Sequence, residues 1–263
     1  EGGVVKLGNY ELANRLSYLL WGTLPDYQLF AAAAGGGLSN QAGVEAQARR
    51  MLADARAADA VGAFFTDWLD IDTLPLAAKD WQGHPAPAPV LLAAMLDEVR
   101  LFTSNVALAG SGRFDDVLTA TSSFADASLA SVYGLTGVTG STFTPVSLAP
   151  AERSGLFTTA GFLALTGWGD GSDPPRRGTA VYEKLLCGTL PGPVGPMPPV
   201  PPAAPGGPTT RQRFAAADGA SCAVSCHAII DPLGFPFEHY DGIGAYRTLD
   251  NGLPVDASAT VTL

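Results

Sequence analysis

The chain has 263 residues, of which 47% are hydrophobic and 15% charged, and its formal net charge is −10. That apolar share is enough for a folded core. The acidic balance excludes a nucleic-acid binder or a polybasic membrane-surface module, both of which need a basic face, and the apolar runs fall far short of the roughly 20 residues a membrane helix requires.

Helical periodicity dominates the first half. Leu12, Leu16, Leu19 and Leu20 recur at helical spacing. Asp26 follows Pro25 and is placed to cap a second helix over 27–33, which Gly35-Gly36-Gly37 ends. Apolar stripes predict further helices over 44–53 and 57–69, and a longer one over 90–109 carrying Leu92, Met95, Leu96, Val99 and Phe102. These stripes read as core packing and carry no chemistry. Residues 143–146 suggest a short strand. Helix is expected again over 150–165, opening on Pro150 with Glu152 in its first turn, and over 176–187. Between them, 167–175 reads as a loop; its Asp170, Gly171 and Asp173 make a solvated acidic turn or, less simply, a calcium loop. Half of 191–208 is proline, nine of 18 residues, which excludes helix and central strand and predicts a semi-rigid connector. Thr209 and Thr210 are placed to cap a helix through Ala217. Residues 1–3 lack the basic start and apolar stretch of a leader, and the last five read as the middle of a strand or turn. Both ends are expected of a piece of something longer.

The dense chemistry lies after the connector. The chain has three cysteines, and two of them fall in Cys222-Ala-Val-Ser-Cys226-His227. A C-x-x-C-H string attaches haem: two thiols add to the porphyrin vinyl groups and the adjoining imidazole binds the iron. The spacer here is three residues, one longer than usual, yet cysteines at i and i+4 still share a helix face. The rival reading is a disulfide from Cys187 to Cys222 or Cys226, stapling the connector and leaving one thiol over. Zinc is disfavoured, because His84, Cys187 and His239 stand at no zinc-finger spacing. No G-x-S-x-G elbow, phosphate loop or dinucleotide fingerprint occurs.

Downstream run Asp231-Pro-Leu-Gly-Phe235, Glu238-His-Tyr-Asp241, Ile243-Gly-Ala-Tyr-Arg247 and Val255-Asp256. Upstream are Tyr10-Glu-Leu-Ala-Asn-Arg-Leu-Ser-Tyr-Leu-Leu-Trp21, Pro25-Asp26, Arg49-Arg-Met-Leu-Ala-Asp54, Arg177-Gly178 and Leu186-Cys187. In this order the motifs resemble the large secreted or periplasmic proteins of planctomycetes and myxobacteria that combine domains of unknown function with a cytochrome-c-like segment. The resemblance spans nearly the whole chain. Two departures are the longer cysteine spacer and His239, which stands where that family usually has asparagine.

The resemblance implies a mainly α chain: a helical domain of unknown function over 1–190, the proline-rich connector 191–208, and a cytochrome-c-like haem unit over 209–263. It implies covalent haem c on Cys222 and Cys226, with His227 as proximal iron ligand. The distal position is open. Met197 and His239 are its leading candidates, with His84, Met51 and Met95 behind them, or it holds no protein ligand and suits ligand binding or peroxide chemistry. The expected function is electron transfer within a larger periplasmic or extracellular assembly, with other redox or surface proteins as partners. Ile229, Ile230, Leu233, Phe235, Phe237 and Tyr240 would exclude water from the haem. Asp231 and Pro232 are expected to end the motif helix, with Asp231 capping the turn that follows. Glu238, Asp241 and Arg247 are read as a local ion-pair network or a propionate and cation site. The alternative is a haem-free, disulfide-stapled structural or partner-binding module.

Overall fold

The computed structural model describes residues 6–74, 87–167, 171–192, 199–217 and 226–261. Its contacts divide the chain into two units, residues 1–66 with 100–117, and residues 67–99 with 118–263. The described chain is mainly helical. None of its helices is long and apolar enough to cross a membrane.

In the first unit, leucines and alanines at three- and four-residue spacing form helices α1 (Asn9–Trp21), α2 (Tyr27–Ala34), α3 (Gln41–Leu52) and most of α4 (Ala55–Trp68). Gly22 ends α1 in the left-handed region, φ 66°, where a side chain would be strained. Asp26 caps α2 by accepting from the Leu29 N–H, and Asn40 caps α3 by accepting from that of Gly43. Ala13, Trp21, Leu29, Ala33, Leu38, Met51 and Ala57 form the core of this unit. A polar girdle closes it. The Trp21 indole donates to the Met51 carbonyl at 2.9 Å, and the Arg56 guanidinium lies 3.4 Å over its ring. Arg50 reaches both Asp26 carboxylate oxygens, at 2.8 and 3.0 Å. The Trp21, Pro25-Asp26 and Arg49–Asp54 motifs thus meet at one place.

Helix α5 (Pro89–Ser104) continues into a π turn over Asn105–Ala109 and is followed by α6 (Phe114–Thr119). In the second unit, strands β1 (Ser122–Ala125) and β2 (Thr144–Ser147) pair antiparallel, Phe124 facing Pro145. Helix α7 (Ala127–Val132) lies between them, capped by Asp126. Leu74, Ala94, Met95, Ala125, Leu129, Ala130, Ala160 and Ala164 form a core. Then come α8 (Ala160–Leu165), α9 (Pro174–Ala180), α10 (Thr210–Ala217), α11 (Ala228–Gly234) and the two-residue strands β3 (Leu249–Asp250) and β4 (Leu253–Pro254). Helices on both sides of the proline-rich segment, α9 before it and α11 after it, belong to this unit.

Two expectations about elements are corrected. The helix expected over 150–165 begins only at Ala160, after a 3-10 turn at Leu156–Thr158. Gly155 stops it earlier: its φ is 66°, and the Leu118 backbone fills the space a side chain would need. Asp231 and Pro232 were expected to end the motif helix, but α11 runs through both to Gly234. Pro232 is its fifth residue, so the ring forfeits a hydrogen bond only near the helix start.

Candidate functional site

The site is built on the crossing of α9 and α11. Gly178 on α9 faces the Ile230 carbonyl, and Gly234 on α11 faces the Pro174 carbonyl. At either position a Cβ would overlap the facing oxygen. The two backbones therefore approach as only glycine permits, and α11 is held without freedom to slide. Asp173 caps α9 by accepting from the Arg176 N–H, and Pro174 and Pro175 set its first turn.

Arg177 fixes the chain that follows α11. Its side chain is fully buried. One guanidinium nitrogen donates to the carbonyls of Phe237 and Tyr240, both at 2.8 Å, and the other to those of Asp241 at 2.6 Å and Leu163 at 3.3 Å. Burial pushes its pKa down to about 10, with Glu238 nearby opposing the shift, so it remains a cation at neutral pH. Arg247 donates to the Glu238 carbonyl, to Asp250 at 2.9 Å and to the Ser172 hydroxyl at 2.8 Å. Asp250 in turn accepts from the Thr210 N–H at the start of α10. Burial raises the pKa of Glu238, against the pull of Ser172 and both arginines. Glu238 Oε1 and Arg177 Nε are buried with no hydrogen-bond partner among the described residues.

The ion-pair reading of Glu238, Asp241 and Arg247 is thereby refined. Arg247 stands 3.6 Å from Glu238, but Asp241 spends its carboxylate on the backbone N–H groups of Ile243 and Ala245. That turn lets Gly244, φ 87°, press against Ala160. Arg153 donates to the Gly244 carbonyl from the far side and lies over the rings of Tyr133 and Tyr240. Most of the run from Asp231 to Arg247 is accordingly scaffold.

What the scaffold presents is the N-terminal end of α11. Cys226 and His227 occupy the turn that leads into it. His227 Nδ1 lies 3.1 and 3.3 Å from the two carboxylate oxygens of Asp231, one turn further on. Both side chains are largely buried, 14% and 4% exposed. A carboxylate at Nδ1 fixes the orientation of the imidazole ring. Cys226 Sγ is 3.8 Å from the Pro191 carbonyl, which brings the start of the proline-rich segment to this turn. Ile229, Leu233 and Phe235 flank the helix half-buried.

Of the other anticipated residues, His239 turns its Nδ1 to the Arg247 carbonyl at 3.0 Å and stacks on Tyr246, ring centroids 5.2 Å apart. Met51 and Met95 are fully buried in the cores of the first and second units. Cys187 is exposed, in the left-handed region at φ 55°, and forms no disulfide among the described residues. Cys222, Met197, His84 and Asp170 lie outside the described residues.

One buried cluster was not anticipated. Glu98 of α5 is fully buried and takes hydrogen bonds from Ser123 at 2.7 Å and from Tyr133, whose hydroxyl lies 2.7 and 2.6 Å from its two oxygens. That hydroxyl also accepts from the Ala160 N–H at 2.8 Å. Burial pushes the Glu98 pKa up to about 7, against both hydrogen bonds. The phenol has one hydrogen and two short carboxyl contacts. A neutral Glu98 supplies the second hydrogen and satisfies every atom of the group. The signal was in the sequence: Glu98 lies in register with Met95, Val99 and Phe102 on the apolar stripe.

Residues 7–135 match the family described as PSD4, protein of unknown function (DUF1592), and residues 153–250 match the family described as PSCyt3, protein of unknown function (DUF1588). No curated protein and no solved structure matches the chain. The chain is therefore similar, over most of its length, to two families of unknown function joined in tandem.

Proposed function

We propose that the chain is a c-type haem protein that carries electrons within a larger periplasmic or extracellular assembly. The observation that carries this reading is the His227–Asp231 pair: an imidazole immediately after Cys226, its Nδ1 engaged by a buried carboxylate at 3.1 Å, as metal-ligating histidines commonly are. The donor set fits the group. Cys222 and Cys226 would hold it by thioethers, and His227 would bind the iron. When bound, haem supplies a one-electron ferric–ferrous couple. The chain's own contribution is orientation and exclusion of water. Glycine contacts to α9 hold α11, Arg177 pins the loop beyond it, and Ile229, Leu233 and Phe235 offer half-buried apolar surface along the same helix. Met197 and His239 are proposed for the distal side. The label PSCyt3 of the second matching family agrees with a cytochrome-like unit after the helical domain.

One observation favours a second reading, the haem-free module stapled by a disulfide from Cys187. Cys226 Sγ lies beside the carbonyl of Pro191, only four residues beyond Cys187. Intact mass separates the two. Covalent haem adds about 616 Da, whereas each disulfide removes about 2 Da. A pyridine haemochrome spectrum with a reduced band near roughly 550 nm is the expected companion result. Colourless native protein of disulfide mass overturns the haem reading.

A further inference from the structure

Resting on the haem reading, we infer that Asp231 is a positioning residue that tunes the iron: its buried carboxylate gives the His227 ligand imidazolate character and holds bound haem in the ferric state. A histidine and an aspartate four residues apart on an exposed helix would mean little, because water screens such a pair. Here the carboxylate is 4% exposed, and both its oxygens lie within 3.3 Å of Nδ1. One turn of α11 sets the separation of the two residues, and Gly178 and Gly234 seat that helix closely against the α9 backbone of the same unit. A backbone carbonyl at Nδ1 would orient the ring and add no charge. A carboxylate does both, making Nε2 a stronger donor. Stronger donation stabilises the ferric ion more than the ferrous ion and lowers the reduction potential.

This gives the Asp-Pro-Leu-Gly-Phe run two roles in one turn of helix. Gly234 allows the close crossing, and Asp231 sets the ligand's electronics. Pro232 removes one N–H from the helix immediately beyond the carboxylate.

The test is spectroelectrochemical titration of the full chain, matured with haem, beside Asp231→Asn and Asp231→Glu. Haem content is read by mass and haemochrome. In Asp231→Asn the ratio of reduced to oxidised haem at a fixed applied potential is expected to rise at least tenfold, about 59 mV for one electron. Asp231→Glu, which keeps the charge, is expected to stay within about threefold of the parent. A merely structural Asp231 would lower haem loading or thermal stability and leave the potential unmoved. Should Asp231→Asn fail to load, the parent decides the matter alone. Its ferrous iron–imidazole stretch, read by resonance Raman after photolysis of the carbon monoxide adduct, is expected above that of a carbonyl-bonded histidine. An unshifted potential in a loaded Asn variant, or an ordinary stretch in the parent, overturns the inference and leaves the haem reading standing. Parent protein without haem overturns both.

Discussion

Each unit is tied by arginines, and the two do it in opposite ways. In the first, Arg50 and Arg56 meet Asp26 and Asp54 at the surface, and the pairs keep water on one side: Arg50 and Asp26 are about a quarter exposed. In the second, Arg177 is fully buried and its partners are backbone carbonyls. The acids differ in the same sense. The arginine hydrogen bonds hold Asp26 below its ordinary pKa, whereas burial lifts Glu98, Glu238 and Asp241 above theirs. A surface ion pair is cheap to form and to lose. A buried arginine costs much to desolvate, and that cost is recovered only while every partner stays in place.

Removing Arg177 is therefore the harshest way to break the comparison. Arg177→Met strips the hydrogen bonds from the Phe237, Tyr240 and Asp241 carbonyls and removes one of the two cations near Glu238. It is expected to cost about 3–5 kcal/mol. Urea unfolding followed by hydrogen exchange on peptides of the second unit checks it, and a loss under about 1 kcal/mol would contradict the network.

The buried acids give the next largest effect, and its sign sets the units apart. Folded Glu98 keeps its proton up to about pH 7, whereas the unfolded chain releases it near 4.5. Between those values the folded state binds more protons, so rising pH weakens the second unit, by about 3 kcal/mol across the window. Glu238 and Asp241 act in the same direction. Asp26 acts in reverse in the first unit: its lowered pKa contributes stability at neutral pH that is lost as acid protonates it. Urea midpoints from pH 4.5 to 8, with exchange resolved by peptide, are expected to fall with pH in the second unit. Glu98→Gln is expected to flatten most of that slope. Parallel pH profiles in the two units would erase the distinction.

Gly234→Ala follows. Its Cβ would overlap the Pro174 carbonyl, so the helix crossing must open, at a cost of about 1–3 kcal/mol. Gly134 is the control. Unlike Gly234, whose φ is −88°, it has a positive φ, 65°, and open space around it, and Gly134→Ala is expected to cost about 1 kcal/mol from backbone strain alone. Equal losses at the two positions would mean that the α9–α11 approach is not what demands glycine.

The elements were legible where one local rule governs. Asp26 and the apolar spacing of α1 through α5 give caps and stripes that the fold obeys. Gly155 and Pro232 misled because their effects are tertiary: the Leu118 backbone makes one necessary, and a helix that begins four residues earlier makes the other tolerable. The pairing of Cys226 and His227 was read from spacing. Its partner Asp231 was read only as a turn cap, because the i, i+4 relation matters here through burial, which no spacing reveals. The Arg177-Gly178 motif reveals no role for Arg177, since the Phe237, Tyr240 and Asp241 carbonyls it holds lie 60 to 64 residues ahead. The β3–β4 hairpin was missed although Asn251-Gly252, at φ 52° and 81°, is the commonest two-residue turn.

The smallest effect is expected at the surface of the first unit, and it sharpens the comparison because two roles separate there. Asp26 accepts both the Leu29 N–H that opens α2 and the Arg50 guanidinium. Asp26→Asn keeps a capping oxygen and loses the charge, whereas Asp26→Ala loses both. The cap is worth about 1 kcal/mol and is insensitive to salt. The ion pair is worth at most about that much and fades as ionic strength rises. Thermal unfolding at low and high salt is therefore expected to place Asp26→Asn between the parent and Asp26→Ala at low salt and beside the parent at 1 M, about one tenth of the Debye length found at 0.01 M. If the Asn variant instead tracks the Ala variant at both, the arginine girdle around Trp21 contributes by contact with the ring at 3.4 Å and by geometry, and charge is incidental to it.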